Sequence, residues 1–196
     1  MCLPSEVVNG VDDCPIDLAG AAASNSMITK PLSLQPMSRE FKIREFRRGD
    51  FNTLWEIDQK CFPPGISYSQ LELLTYMRRL RSFTLVGEAN GEREASGATA
   101  GFIVAEAGRR GAGHIITIDV LQEARRGGLG SKLLLAAEER LRGEGCSAVF
   151  LETAVDNLAA LAFYKRHGYF LVKTLPRYYS NGVDAVMLKK DLVQNS

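Results

Sequence analysis

Arg125, Gly128 and Gly130 stand in the order Arg-x-x-Gly-x-Gly, a spacing suited to holding a phosphate. They follow His114–Val120, rich in β-branched side chains and read as a strand, and they precede Ser131–Leu135, the start of an apolar, helix-favouring run. A strand, a glycine turn and a helix start make an anion socket. Glycines at 127, 128 and 130 remove Cβ atoms that would keep a ligand off the backbone. The unpaired N–H groups of the first helical turn then face it with about half a positive charge behind them. Two phosphate motifs fit the frame poorly. A nucleoside-triphosphate loop needs Lys before Ser/Thr, whereas Ser131 precedes Lys132; a dinucleotide fingerprint needs a third glycine at 133, which is Leu.

A second pattern follows, Asn157-x-x-Ala160-x-x-Phe163-Tyr164-x-x-x-Gly168-Tyr169. Asn157 and Tyr164 are two turns apart on one helix face, and the small Ala160 between them leaves room for a slender chain. The two patterns together resemble the signatures of the GNAT superfamily of acyl-CoA-dependent N-acyltransferases, over residues 40–190. The resemblance implies a diphosphate of coenzyme A held by Arg125, Arg126, Gly127, Gly128, Leu129, Gly130 and Ser131. It implies a pantetheine arm lined by Ile118, Asp119, Val120, Asn157 and Tyr164. Asp119 departs from the family pattern, which often has a small residue there.

Within the superfamily the chain resembles the protein N-terminal α-amine acetyltransferases, the bacterial ribosomal-protein alanine N-acetyltransferases among them. Glu152 lies five residues before Asn157, where those enzymes carry a catalytic carboxylate. The segment Phe62–Ser69, with Tyr68, resembles their substrate-gripping loop, and Arg177-Tyr178-Tyr179 with Asp184–Met187 resembles their closing segment. Phe62, Tyr68, Tyr178 and Tyr179 are accordingly expected as an aromatic mouth for an extended peptide end.

Amide formation from a thioester needs a neutral amine, a seat for the oxyanion and a proton for the leaving thiolate. An α-amine titrates at about 7.7 to 8.0 and a lysine at about 10.4, so either arrives mostly protonated at neutral pH. Glu152, late in a strand where a carboxylate is costly without water or a partner, is the expected base. A carboxylate paired with an Arg at the sheet end is the bland alternative. His114, where some members of the superfamily place a base, is the runner-up. Tyr164 is the expected acid, core packing being its structural alternative, and the Val120 N–H is the expected oxyanion donor if its strand splays from a neighbour. His167, beside Gly168, reads as a helix C-terminal cap.

At 196 residues, 45% hydrophobic and 24% charged, the chain suits one well-buried domain. A net charge of +1 gives no global field toward DNA or an anionic membrane. There is no run of 18 apolar residues and no signal-peptide pattern at the start, so a cytoplasmic location is expected. Cysteines at 2, 14, 61 and 146 lack C-x-x-C spacing and only two histidines exist, so no metal site is expected. Cys146 reads as core. Cys61 reads as core or pocket lining.

Residues 1–38 carry one basic residue against four acidic ones, a net of −3 that leaves +4 for 39–196. With small, polar and Pro-punctuated composition they are expected to be a loose extension of the acetyltransferase domain at 39–196; a functional start near Met37 is conceivable. Thereafter the expected elements are a strand at 40–46, a helix capped by Asp50 and running to Cys61, and a stiff Pro63-Pro64 break. A capping box Ser69-x-x-Glu72 restarts a helix to about Arg81. Strands at 82–89 and 98–107 flank Asn90-Gly91. The central strand and helix lead to a strand at 146–153, read as buried on both faces, a helix at 157–167, and an antiparallel pair at 169–174 and 183–190 around Asn181-Gly182. The fold class is α/β: a mixed, mostly antiparallel sheet flanked by helices in the order β-α-α-β-β-β-α-β-α-β-β.

The leading expectation is an acetyl-CoA-dependent N-acetyltransferase acting on a protein or peptide N-terminus, a ribosomal protein among the candidates. Acetylation of a small amine, or a non-catalytic acyl-CoA-binding regulatory module, are the alternatives. Arg78, Arg79 and Arg81 read as a solvated face, with RNA or an acidic partner as the alternative. Neither the acceptor nor the oligomeric state is encoded in a pattern that can be read.

Overall fold

The computed structural model describes residues 40–90 and 97–192. The extension expected at 1–38, Cys2, Cys14 and the turn from Gly91 lie outside the described residues. Seven strands form one sheet in the order β1-β2-β3-β4-β5-β7-β6. They are β1 Glu40–Glu45, β2 Ser82–Asn90, β3 Ala98–Ala107, β4 Ala112–Val120, β5 Ala148–Ala154, β6 Phe170–Leu175 and β7 Ala185–Asp191. The helices are α1 Phe51–Cys61, α2 Gln70–Met77, α3 Leu129–Gly143 and α4 Leu158–Arg166, so the expected order of elements is the observed one. Neighbouring strands are antiparallel except β4 and β5, which are parallel and joined through α3. A parallel pair cannot be closed by a tight turn, and the helix supplies the crossover.

Each face of the sheet buries its own apolar cluster. Leu133, Leu134, Ala137 and Leu141 make one stripe along α3, and with Ala160 and Tyr164 of α4 they pack on Ile103, Ile115, Ile118, Val149 and Leu151. On the other face Leu54, Ile57 and Cys61 of α1 and Leu73 of α2 pack on Val86, Phe102, Val104 and Ile116. From Phe102 to Ala105, alternation along β3 divides its side chains between the two. The α3 side also holds a buried polar link, in which Glu138 accepts from Lys190 Nζ at 2.5 Å and from the Tyr169 hydroxyl at 3.0 Å.

Strand β4 carries a bulge. Thr117 pairs with Val104 and Ile115 with Ala105, which leaves Ile116 as the extra residue. Unbroken alternation would send His114 and Asp119 to opposite faces. The extra residue turns Thr117 and Asp119 to the α1 face, where His114 and Ile116 already lie, while Ile115 and Ile118 stay with α3.

Several local expectations are corrected. Helix α2 starts from the expected box, with Ser69 Oγ accepting from Glu72 N–H, yet it ends at Met77 instead of Arg81. Arg81 sits at φ 71° and its carbonyl and guanidinium are fastened to Ala107 N–H and to the Gly108 and Glu144 carbonyls, which forces the chain to reverse before β2. Asp50 does not cap α1 with its side chain. Arg44 captures that carboxylate at 2.7 and 3.0 Å, and the Arg47 N–H adds a third bond. Strand β5 is not buried on both faces, for Phe150 and Glu152 are half-buried where the α1 side of the sheet opens.

Candidate active site

The glycine turn is built as a helix start without a side-chain cap. Arg126 at φ 62° and Gly128 at φ 88° swing the backbone into α3, and Gly128 is the N-cap. The first bond closing the helix is Lys132 N–H to the Gly128 carbonyl, so the N–H groups of Leu129, Gly130 and Ser131 have no acceptor in the helix. A Cβ on Gly128 would meet nothing within 4 Å, and that face of the turn is open. These features fit a phosphate. The three glycines serve different ends, however, and this refines the reading from sequence. Gly127 is needed because a Cβ there would come within 2.9 Å of the Phe41 ring. Gly128 is needed for its left-handed backbone. A Cβ on Gly130 would sit at an ordinary 3.6 Å from Phe163.

Arg125 braces this turn from inside: its Nε donates to the Val120 carbonyl at 2.9 Å and its guanidinium lies 3.9 Å from the Cys61 sulfur. Val120 ends β4. Because the Leu121 N–H bonds to Ala100 on β3, alternation turns the Val120 N–H away from β3 and toward β5. On that side the ladder has already stopped. Strands β4 and β5 pair only from Ala112 to His114, opposite Ala148 to Phe150, and then part.

His114 and Glu152 stand at the base of this opening. Val149 and Leu151 pack toward α3, which leaves Glu152 on the α1 face with His114. His114 Nε2 is 2.7 Å from Glu152 Oε2, with side-chain exposures of 38% and 13%. The two residues weighed as rival bases are therefore one hydrogen-bonded pair, and Glu152 has an imidazole for its partner where the bland reading had an arginine. With the carboxylate accepting, Nε2 carries the proton.

Helix α4 meets the turn directly. The Asn157 side chain is the N-cap, its Oδ1 accepting from Ala160 N–H at 3.0 Å, and Tyr164 is fully buried between Phe163 and Tyr169 with ring centroids 5.2 and 5.4 Å away. His167 does cap its helix, Nδ1 donating to the Phe163 carbonyl at 2.8 Å. It also reaches across: its Nε2 lies 3.0 Å from Ser131 Oγ in the first turn of α3.

Of the four aromatics expected at a mouth, Tyr178 is exposed and Tyr68 half-buried against Tyr76 at 5.2 Å, while Phe62 and Tyr179 are interior. The connection between α1 and α2 and the one between β6 and β7 touch, with Ser180 Oγ donating to the Gly65 carbonyl at 2.8 Å. Burial, with Glu152 and Tyr76 nearby, raises the Tyr178 hydroxyl above its ordinary value. Arg79 and Arg81 pair with Glu106 and Glu144, as a solvated face would.

The reading from sequence missed Asp58. It is fully buried on α1, and its Oδ2 accepts from the Tyr68 N–H at 2.8 Å and from Gln59 at 3.0 Å. Asp119, expected beside a pantetheine arm, is buried and accepts from the Thr117 hydroxyl at 2.7 Å. Desolvation pushes Asp58 up to about 6. It pushes Asp119, with the Asp58 charge added, up to about 8. No single residue marks this pair in the sequence, since α1 and β4 are far apart along the chain.

A model of the acetyltransferase (GNAT) family matches residues 51–169. N-alpha-acetyltransferase 30 of Schizosaccharomyces pombe is 41% identical over 73 residues, 37% of this chain and 49% of that protein, so the match spans about half of that relative. An uncharacterized N-acetyltransferase of Methanocaldococcus jannaschii is 32% identical over 149 residues, 76% of this chain and 90% of that one. Among solved structures, Ard1 from Thermoplasma volcanium superposes with a TM-score of 0.69 at 28% identity, covering 79% of this chain and 99% of its own.

Proposed function

Because the chain belongs to the acetyltransferase (GNAT) family, we propose that it transfers the acetyl group of acetyl-CoA to an amine, the N-terminal α-amine of a protein or peptide. The observation that carries this reading is the His114–Glu152 pair at the fork of β4 and β5, on the opposite face of the sheet from the phosphate-ready turn. Acceptor and donor thus approach from opposite faces and meet at the fork. What favours a protein N-terminus is the likeness to N-alpha-acetyltransferase 30, together with two chain connections that meet over the acceptor side.

In this mechanism the amides of Gly128 to Ser131 hold the diphosphate, and His167 orients the Ser131 hydroxyl. The amine loses a proton to the His114–Glu152 pair. Its nitrogen attacks the thioester carbonyl, the oxyanion takes the Val120 N–H, and the C–S bond breaks as Tyr164 protonates the thiolate. The products are the acetylated amine and free coenzyme.

The test mixes purified chain with acetyl-CoA and a panel of N-terminal peptides beside polyamines, amino acids and aminoglycosides. Thiol release is followed, and the acetyl group is located by mass. Turnover confined to free small amines would overturn the choice of acceptor. Coenzyme uptake without turnover on any amine would leave an acyl-CoA-binding module.

A further inference from the structure

The mechanism leaves two buried carboxylates unused, and each has an oxygen without a partner. Asp58 Oδ1 and Asp119 Oδ2 are fully shielded from solvent and make no hydrogen bond among the described residues, although the second oxygen of each is engaged. An ionised carboxylate buried with an empty lone-pair set is costly, and two of them in Coulombic reach are costlier.

Among the described residues, what surrounds them is sparse in cations. Toward Asp119 the neighbouring elements present the Thr117 hydroxyl, Asp58, the Tyr68 hydroxyl, and Arg125 from the turn before α3. Arg125 turns Nε to the Val120 carbonyl and Nη2 to Cys61, and it reaches Asp119 through its charge. Toward Asp58 they present the Tyr68 backbone N–H, Gln59, and the carboxylate of Glu72 on α2. The Cys61 thiol, pushed up to about 12 by burial and Asp119, stays protonated beside them. Among the described residues the two acids thus have one guanidinium in reach, and a proton is the simplest remedy for the charge left over.

The positions of the two give that proton a consequence. Asp58 holds the N–H of Tyr68, whose carbonyl is itself held by Trp55 Nε1 at 3.1 Å and Gln59 Nε2 at 2.8 Å. Asp119 immediately precedes Val120. One member grips the connection on the acceptor side, and the other belongs to the strand end that presents the oxyanion N–H.

We infer that Asp58 and Asp119 share a single proton and, in that state, act as positioning residues that hold Tyr68 and the acceptor connection against the end of β4. This rests on the reading of the chain as an amine acetyltransferase. Loss of the shared proton leaves two like charges facing each other between α1 and β4 and loosens the Tyr68 connection, so acceptor binding weakens while the coenzyme turn is untouched.

The experiment measures kcat and KM for an acceptor peptide and for acetyl-CoA from about pH 6 to about pH 9, in the full chain and in Asp119→Asn, Asp58→Asn and Asp58→Ala. The expected result is an acceptor KM that rises several-fold toward alkaline pH in the parent chain, with the acetyl-CoA KM flat. The rise is absent in both Asn variants. Asp58→Ala, which removes the acceptor for the Tyr68 N–H, raises the acceptor KM about tenfold at every pH, the size of one lost charge-assisted hydrogen bond, and Asp58→Asn restores it. An alkaline rise that persists unchanged in both Asn variants overturns the inference. A second measurement does not depend on turnover: carboxyl 13C and Tyr68 amide shifts of the labelled chain titrate together near neutral pH in the parent and not in Asp119→Asn. Should no amine be acetylated, that titration still judges the pair, and a Tyr68 amide indifferent to pH refutes it.

Discussion

Glu152 Oε2 accepts a hydrogen bond from His114 Nε2 at 2.7 Å, across the one place in the sheet where two parallel strands begin to separate. The pairing depends on register: Ala112 to His114 of β4 lie opposite Ala148 to Phe150 of β5, and Glu152 projects from β5 beyond the last paired residue. Neither side chain is positioned by its own strand alone.

If the pair works as one proton acceptor, its members are not additive. Glu152→Gln and His114→Gln are each expected to lower kcat by about 10² to 10⁴, and the double variant to fall no further than the worse single one. Steady-state rates on one peptide, arranged as a double-mutant cycle, check this.

Tyr164 separates its two roles by atom. Tyr164→Phe keeps the ring against Phe163 and Tyr169, so kcat is expected to drop while the unfolding midpoint is nearly held. Tyr164→Ala empties a fully buried site and is expected to cost about 3 to 5 kcal/mol in a denaturant melt.

The glycines of the turn are expected to respond differently to a methyl group. Gly128→Ala puts a side chain at φ 88° at a cost of about 1 to 2 kcal/mol, and it lowers coenzyme affinity by calorimetry. Gly130→Ala meets Phe163 at 3.6 Å and is expected to fold with the parent's midpoint.

Gly101 of β3 faces the end of β4, and a Cβ there would stand 2.5 Å from the Asp119 carbonyl oxygen and 3.2 Å from Val120 Cα. Gly101→Ala must displace backbone, at a cost of about 1 to 3 kcal/mol, and it shifts the Val120 N–H. A lowered unfolding midpoint together with a lowered kcat, at unchanged coenzyme affinity, is the expected signature.

Stability should fall as pH rises from about 4 to about 8. Asp58 and Asp119 are raised in the folded chain to about 6 and about 8, whereas the unfolded chain has both near 3.9. Between those values the folded state binds more protons than the unfolded one, so the stabilising contribution is full below about pH 4 and is lost as pH climbs through 6 and 8. Thermal midpoints are expected to decline across that window, and Asp119→Asn is expected to remove the upper part of the decline.

The order of elements was legible because each carries its own local signature: the strand pattern at β1, the Ser69–Glu72 box, the apolar run Ser131–Leu135 that opens α3, and Gly168, found in the left-handed region that ends a helix. The end of α2 was not legible, since Arg81 is bound by Gly108 and Glu144, residues that no local window contains. Asp50 misled for the same reason. An aspartate before a helix is ordinarily a cap, and here Arg44 of β1 outbids the helix N–H groups with two charge-assisted bonds.

By itself the sequence determined what chemistry this chain could host: a glycine turn between strand and helix, a carboxylate late in the next strand, and an asparagine and tyrosine two helical turns apart. Those are short-range facts of residue type and spacing. Which groups face one another was decided by tertiary structure alone. The bulge at Ile116 brings Asp119 to the same face as His114, the fork of β4 and β5 makes rivals into a pair, and the packing of α1 on β4 sets Asp58 near Asp119. A one-residue change of register reverses every side chain beyond it, and register is fixed by contacts between segments that the linear order keeps apart.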